Sequence, residues 1–430
     1  MRVLMFGWEF PPHITGGLGT ACFGITKALS QLCDVDVIFV VPKTFGGEQD
    51  QAVELIAAAD VPIFSKTQEK VIQQFSKEYI EITSNLLPYQ NPDDFWIQTR
   101  KLNSAKTCVV ETTKNGKITF SGKYGNNLFN EVFNYALVAK SISKSNNFDI
   151  IHAHDWLTYP AAIAAKHISK KPLIVHVHAT EYDRGGGYIN PKVYSIERQG
   201  MDEADHIVAV SNFTKQIVVN KYGINPKKIS VVHNGVEPLC DYFKLNISKH
   251  LVDDKIVTFL GRITAQKGPD YFVEAAYRVL QHVSNVRFVM AGSGDMRAAM
   301  FKKVNALNIA HRFVFPGFLH DIEKHFLLSV SDVYVMPSVS EPFGIVALEA
   351  MQYALPVIVS NQSGVAEIVS HVTKVDYFNV DALAKAMLKF ICDPALSVNS
   401  GKDAQCEAKK HGWDKSASLL REVYVNVNKR

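Results

Sequence analysis

The sequence predicts an α/β protein made of two doubly wound parallel sheets. Three observations carry this expectation. Short, nearly continuous apolar runs rich in Val and Ile recur along the chain, with amphipathic stretches between them. Such runs are typical of strands covered on both faces by helices. The runs fall into two successive series, and 430 residues exceed what one hydrophobic core usually organises, so two domains are expected.

In the first series "RVLMFGW", "DVDVIFVVP", "FDIIHAHD", "PLIVHVHA", "ADHIVAVS" and "KKISVVHNG" are the expected strands. After the first of these, "HITGGLGT" turns the chain into "ACFGITKALSQL", an expected helix. Residues 60–127 break the rhythm and read as an excursion at the open edge of this domain; Asn115-Gly116, between strand-like runs, signals a hairpin. Residues 246–255, "NISKHLVDDK", are polar and turn-like and serve as a linker. This places an N-terminal domain at 1–245 and a C-terminal domain at 246–410. The second series is "IVTFLGRI", "VRFVMAGSG", "HRFVFPGFL", "SDVYVMPSV", "LPVIVSNQSG" and "VTKVDYF". A last segment, 411–430, reads as an amphipathic helix free to cross back to the N-terminal domain.

Composition excludes several classes. Hydrophobic residues are 47% and charged residues 20%, which is globular rather than disordered composition. A net charge of +4, with no basic arm, disfavours a nucleic-acid binder but leaves room for a local anion site. The cysteines, at 22, 33, 108, 240, 392 and 406, have no C-x2-C spacing, so structural zinc and thioredoxin-like chemistry are weak readings. "MRVLMFGWEFPP" is a poor signal peptide and a good first strand, and no apolar run approaches a membrane span. The expected setting is cytoplasmic, without stable membrane insertion.

The chemistry gathers where strands end. Gly16, Gly17 and Gly19 precede a helix and allow backbone to approach an anion, although a purely structural tight turn explains them as well. Their spacing matches neither the dinucleotide fingerprint nor the P-loop. In "GRITAQKG", Arg262 and Lys267 lie five apart in a glycine-bounded loop. A fork and a mobile point charge there suit a diphosphate; solvated surface charge is the plainer alternative. "AGSGD", with Gly292, is a second glycine turn after a strand and would bring backbone close to a ligand. "EPFGIVALEA" sets Glu341 and Glu349 eight apart around a helix start, where the Gly344, Ile345 and Val346 backbone can donate to phosphate oxygens. The glutamates suit neutral hydroxyls on either side of that phosphate; a helix cap and a solvent-facing acid are the alternative.

Histidines mark the first domain. His152 and His154 end one strand, and His176 and His178 the next. The His-x-His pattern invites a metal, but no third and fourth ligands fall into place. A substrate-facing His oriented by Asp155 fits better, with core packing as the alternative. Asp183 and Arg184 look like acceptor or phosphate contacts on a mobile segment.

Taken in order, "GGLGT", "HAHDW", "VSNFTK", "VVHNGV", "GRITAQKG", "AGSGD" and "EPFGIVALEA" resemble the retaining glycosyltransferases of the GT-B fold, closest to the glycogen and starch synthases and sucrose-synthase-like enzymes. The resemblance covers almost the whole chain. It implies two Rossmann-like domains facing across a cleft, the second holding a nucleotide sugar and the first much of the acceptor side. It assigns Arg262 and Lys267 to the diphosphate, Glu341 to the donor sugar's hydroxyls and Glu349 to the ribose. It also assigns His154 to the transferred sugar, and Gly16 and Gly17 to a loop over the phosphates. Two departures matter. Ile14 stands where many bacterial and plant synthases carry Lys, which moves the chain away from ADP-glucose-using synthases. "HVHATEYDRGGG" replaces a His-Asn-Leu segment on the acceptor side, although with "GWEFPPHITGGLGT" it is similar to compact glycogen-synthase-like proteins.

The implied reaction moves glucose from ADP-glucose or UDP-glucose to the nonreducing end of an α-1,4-glucan with retention, with no tightly bound cofactor and no metal requirement. The rival within the fold uses another sugar nucleotide and a lipid, polysaccharide-precursor or small-molecule acceptor. A catalytically inactive carbohydrate-binding protein and an NAD-dependent oxidoreductase are the other classes. The first does not need the Arg262, Lys267, Glu341 and Glu349 combination, and the second lacks its fingerprint.

Overall fold

A computed structural model describes residues 1–14, 16–48, 53–63, 116–125, 127–239 and 254–429. The hairpin expected at Asn115-Gly116, much of the 60–127 excursion and most of the 246–255 linker lie outside the described residues. The chain forms two compact units, residues 1–233 with 413–430 and residues 234–412.

The first unit holds a seven-stranded sheet: β1 (Arg2–Phe6), β2 (Asp36–Val41), β3 (Glu54–Ala57), β4 (Ile150–His154), β5 (Leu173–Val177), β6 (His206–Ala209) and β7 (Ile229–Val231). Its order is β3-β2-β1-β4-β5-β6-β7, with every pairing parallel. The second unit holds β8 (Lys255–Leu260), β9 (Val286–Ala291), β10 (Phe313–Gly317), β11 (Val333–Met336), β12 (Val357–Ser360) and β13 (Thr373–Val375), in the order β10-β9-β8-β11-β12-β13 and again parallel. Each apolar run read as a strand is one. Among the described residues the strand absent from that reading is β3, four residues at a sheet edge; its Leu-Ile-Ala run is apolar but short and continues into Ala58–Asp60, a 3-10 turn, so it does not stand out as a strand.

Burial explains the runs. All residues of β4, β5, β6, β11 and β12 are buried, because helices cover both faces of each sheet. In the first core Tyr135 packs edge-on against Phe6 and donates its hydroxyl to the Val40 carbonyl at 2.7 Å. In the second, Phe272 meets Phe288 edge-on, Phe288 stacks on Phe313, and Phe259 packs tilted at 49° against Phe272. Helix ends follow local chemistry. Pro191 opens the helix Pro191–Glu203 behind Asn190, whose side chain accepts from the Lys192 and Val193 N–H groups.

The final helix, Trp413–Asn428, packs within the first unit against the helix Gly17–Ser30. Gly24 makes this approach possible, since a Cβ there would lie 2.2 Å from the Trp413 ring. Ser416 donates to the His233 carbonyl at 2.6 Å, and Tyr424 hydrogen-bonds His152 at 2.6 Å. Among the described residues no helix is long and apolar enough to cross a membrane.

Candidate active site

Both sheets reverse their winding at a switch point, between β1 and β4 in one and between β8 and β11 in the other. There the loops leaving adjacent strand ends run apart and open a crevice, where ligands of open α/β sheets bind. The charged and glycine-rich loops singled out in the sequence leave these strands: 7–16 after β1, the segment after His154, 261–268 after β8 and 337–344 after β11.

In the second unit the two loops are tied together by backbone. The Gln266 carbonyl accepts from Val339 N–H at 2.9 Å and from Ser340 N–H at 3.3 Å. Gly268 has a left-handed φ of 64°, and a Cβ on it would sit 2.2 Å from the Pro337 carbonyl, so this junction needs glycine. Across it Lys267 forms a short ion pair with Glu341, whose side chain is 7% exposed. Ser338 also donates to the Glu341 carboxylate, at 3.2 Å. The backbone of Glu341 is fixed by Gln362 and Gly364, each at 2.9 Å. Arg262 donates to the Gln266 side chain at 2.9 Å, which holds its guanidinium over the same loop.

Gly344 starts the helix Ile345–Gln352 in a left-handed conformation, φ 102°, and no side chain caps that helix. A helix beginning on glycine leaves its first N–H groups without a side-chain acceptor, and with the helix dipole this favours an anion. Glu349, one turn on, pairs with Lys324 of the helix Asp321–Val330 at 2.9 Å. Burial opposes the charge on Lys324, yet Glu349 and Asp321 hold its pKa above the usual lysine value. Each acid therefore has a lysine partner, and Arg262 adds a further cation. The carboxylates do not cancel the loop's attraction for a phosphate.

Gly292 has another task. Its φ is 134°, and a Cβ would lie 1.8 Å from the Gly261 carbonyl; at Gly294 the obstacle is the Ile263 carbonyl at 2.2 Å. These glycines let the loops after β8 and β9 cross in close contact, which sets the course of Arg262.

In the first unit a Cβ on Gly16 or Gly17 would meet nothing within 4 Å, whereas one on Gly19 would strike Glu9 and Ile14 at 2.7 Å. Gly19 is needed for packing; Gly16 and Gly17 lie exposed at the helix start.

His152, His154, His176 and His178 share one sheet face, because residues two apart point the same way and His154 pairs with His176 across β4 and β5. All four are buried; His154 has no exposed surface. The His154 Nδ1 lies 2.8 Å from the His178 Nε2. Burial pushes all four pKa values down, to about 3 for His152 and His178, so the rings are neutral near pH 7. One nitrogen from each of His152, His154 and His176 lies within 4.8 Å of the others. The same holds for the Cys22 Sγ with one nitrogen each of His154 and His178. Within the histidine trio the rings lie close to parallel, His152 on His176 at 9° and His154 on His176 at 28°.

Asp183 and Arg184, expected as acceptor or phosphate contacts on a mobile segment, have buried side chains held by partners within the first unit. Asp183 caps its own short helix by accepting from the Thr180 N–H at 2.7 Å and hydroxyl at 2.8 Å. Arg184 is built into a buried ion network. The apolar cover supplied by neighbouring helices is invisible in "HATEYDRGGG" alone. Lys324, Gln266 and Ser338 were also missed, since nothing in their spacing links them to the glutamates.

Residues 115–238 match the family described as Glycosyltransferase Family 4, and residues 243–407 match Glycosyl transferases group 1. The chain is similar to an uncharacterized glycosyltransferase of Methanocaldococcus jannaschii, 29% identical over 99% of this chain and 98% of the relative. It is also similar to a glycogen synthase of Mycobacterium tuberculosis, 24% identical over 99% of this chain and 94% of that one. Its fold matches the Anabaena protein HepE in complex with UDP and glucose, at a TM-score of 0.68 and 16% identity, over 98% of this chain and 99% of that structure.

Proposed function

We propose that this chain, which belongs to the group 1 glycosyltransferases of the GT-B fold, transfers glucose from ADP-glucose or UDP-glucose to the nonreducing end of an α-1,4-glucan with retention. The observation that carries the reading is the Lys267–Glu341 pair beside the uncapped helix Ile345–Gln352, at the switch point of the second sheet. A diphosphate there meets Arg262, Lys267 and helix N–H groups, with Glu341 beside it for the sugar hydroxyls and Glu349 for the ribose. The glucan acceptor is supported by the similarity to glycogen synthase, and UDP-glucose by the contents of the HepE structure.

In the transfer, the bond from the sugar C1 to the diphosphate oxygen breaks and a C1–O bond to the acceptor forms on the same face. The acceptor's proton passes to the departing phosphate. Negative charge grows on the leaving group, so Arg262, Lys267 and the Gly344, Ile345 and Val346 backbone stabilise the transition state more than the bound donor. His154 is neutral but has no exposed surface, so its proposed hydrogen bond to a hydroxyl of the transferred sugar requires the atoms over its Nε2 to move aside. Gly16 and Gly17 give the phosphates room for close backbone approach. No metal enters this scheme.

A second reading, transfer of another sugar to a small or lipid acceptor, is favoured by Ile14 in place of a donor-side lysine. One assay separates the two: ADP-, UDP- and GDP-sugars supplied with glycogen, maltooligosaccharides or lipid extract. Glucan elongation with glucosyl donors alone is the expected result. Transfer of mannose or galactose to the lipid extract, with glycogen unchanged, rejects the glucan synthase.

A further inference from the structure

The mechanism leaves one buried charged cluster without a task. The Arg184 side chain is 4% exposed and faces three carboxylates: Glu197 in a short ion pair, Glu181 at 3.5 Å and Asp155 at 3.9 Å. It also donates to the Ala179 carbonyl at 3.0 Å. Glu197 accepts from the Tyr222 hydroxyl, and from the Glu181 N–H at 3.1 Å. Burying this many charges is an unfavourable way to build a core. Well-packed apolar residues of the same volume serve stability as well or better.

What the cluster does hold is the turn after His154. Asp155 follows that histidine with a left-handed φ of 58°, unusual for a residue with a side chain. Its Oδ1 accepts from the His178 N–H at 2.7 Å and the Ala179 N–H at 3.3 Å, tying the ends of β4 and β5 together. His178 then meets His154 ring to ring at 2.8 Å. Burial raises the Asp155 carboxyl to about 6, and Arg184 and the two amides act against that rise in favour of the ionised form.

We infer that Arg184 is a positioning residue for glycosyl transfer: it anchors Asp155 across the His178 and Ala179 amides and so fixes the His178–His154 ring pair. This rests on the role of His154 given above. Arginine suits the task because a planar fork reaches several carboxylates at fixed angles, which a lysine ammonium cannot do.

The full-length chain is compared with Arg184→Met and Arg184→Lys by two readouts. In imidazole NMR, Arg184→Met is expected to shift the His154 and His178 ring signals, and Arg184→Lys to restore them in part. In the glucosyl-donor assay, kcat for Arg184→Met is expected to fall about 100-fold, the scale of a misplaced reacting group. The donor KM should stay within about twofold, since the diphosphate and ribose contacts proposed for Arg262, Lys267 and Glu349 lie in the second unit and are untouched by the substitution. Unchanged ring signals together with unchanged kcat overturn the inference, as does a loss confined to KM. If Arg184→Met does not fold, Asp155→Asn takes its place with the same expected and overturning results, because asparagine tolerates the left-handed turn. Failure of the natural chain to transfer any sugar counts against the proposed function alone, and the NMR comparison still decides the role of Arg184.

Discussion

Glu341 is the residue on which the donor assignment is most exposed to test. Its carboxylate is nearly buried and is satisfied by Lys267 and Ser338. Glu341→Gln keeps the shape and removes the charge. On the proposed role, kcat falls about 100-fold or more while the fold is kept, as when one group serving the transition state is lost. Lys267→Ala should cost both activity and ~1–3 kcal/mol of stability, because it strands a buried acid. Adding Glu341→Gln to Lys267→Ala should recover the stability and none of the activity. Denaturation midpoints beside turnover rates check this, and wild-type turnover in Glu341→Gln would remove the donor-sugar role. "GRITAQKG" and "EPFGIVALEA" made these residues legible because both motifs are local. The partnership of Glu349 with Lys324 was not, since it depends on two helices packing side by side.

Among the elements, the last helix carries a sharp expectation. Trp413 packs against the bare backbone of Gly24, and Tyr424 reaches the histidine face of the sheet. Gly24→Ala puts a methyl group inside the Trp413 ring, and overpacking of this kind costs roughly 1–3 kcal/mol. We expect a lower denaturation midpoint, a change in Trp413 fluorescence and altered His152 ring signals. A variant indistinguishable from the natural chain would mean that the helix is not held through this contact. Strands were read from the sequence more easily than this docking. A buried strand is an unbroken apolar run, whereas an amphipathic helix reveals that it has an apolar face and not what that face covers. The edge strand β3 is hard to read for another reason: four residues, Glu54–Ala57, running straight into an alanine-rich turn are too short to separate from it.

For the whole molecule, pH response follows from two buried groups of opposite sign. The four histidines have folded pKa values below the ordinary 6.5, so the unfolded chain takes up protons that the folded chain refuses. Stability falls as pH drops from 6.5 toward 3. Glu197 behaves the other way. Burial raises its carboxyl to about 7 against the pull of Arg184 and Tyr222, so its contribution is full below the ordinary 4.5 and lost as pH rises through 7. Asp155, raised to about 6, acts in the same sense. The two effects offset one another between about pH 4.5 and 7. Glu197→Gln removes one carboxylate contribution, so its stability should decline more steeply on acidification than that of the natural chain. Urea midpoints at about pH 5 and about pH 8 read this directly. Equal slopes would mean that Glu197 is ionised as easily as an exposed glutamate.

The two parallel sheets, nearly all of their described strands, and the loops that carry charge at the strand ends are legible in the amino-acid sequence. Each of these is written in neighbouring residues: apolar runs, glycine spacing, a cation or acid at a turn. Packing between distant segments is what turns Arg184 inward to three carboxylates, gathers four neutral histidines on one face, pairs Glu349 with Lys324 and lays the last helix on Gly24. The physical reason is common to all four. A side chain's charge state and partner are set by what packs over it, and those atoms come from segments far apart along the chain.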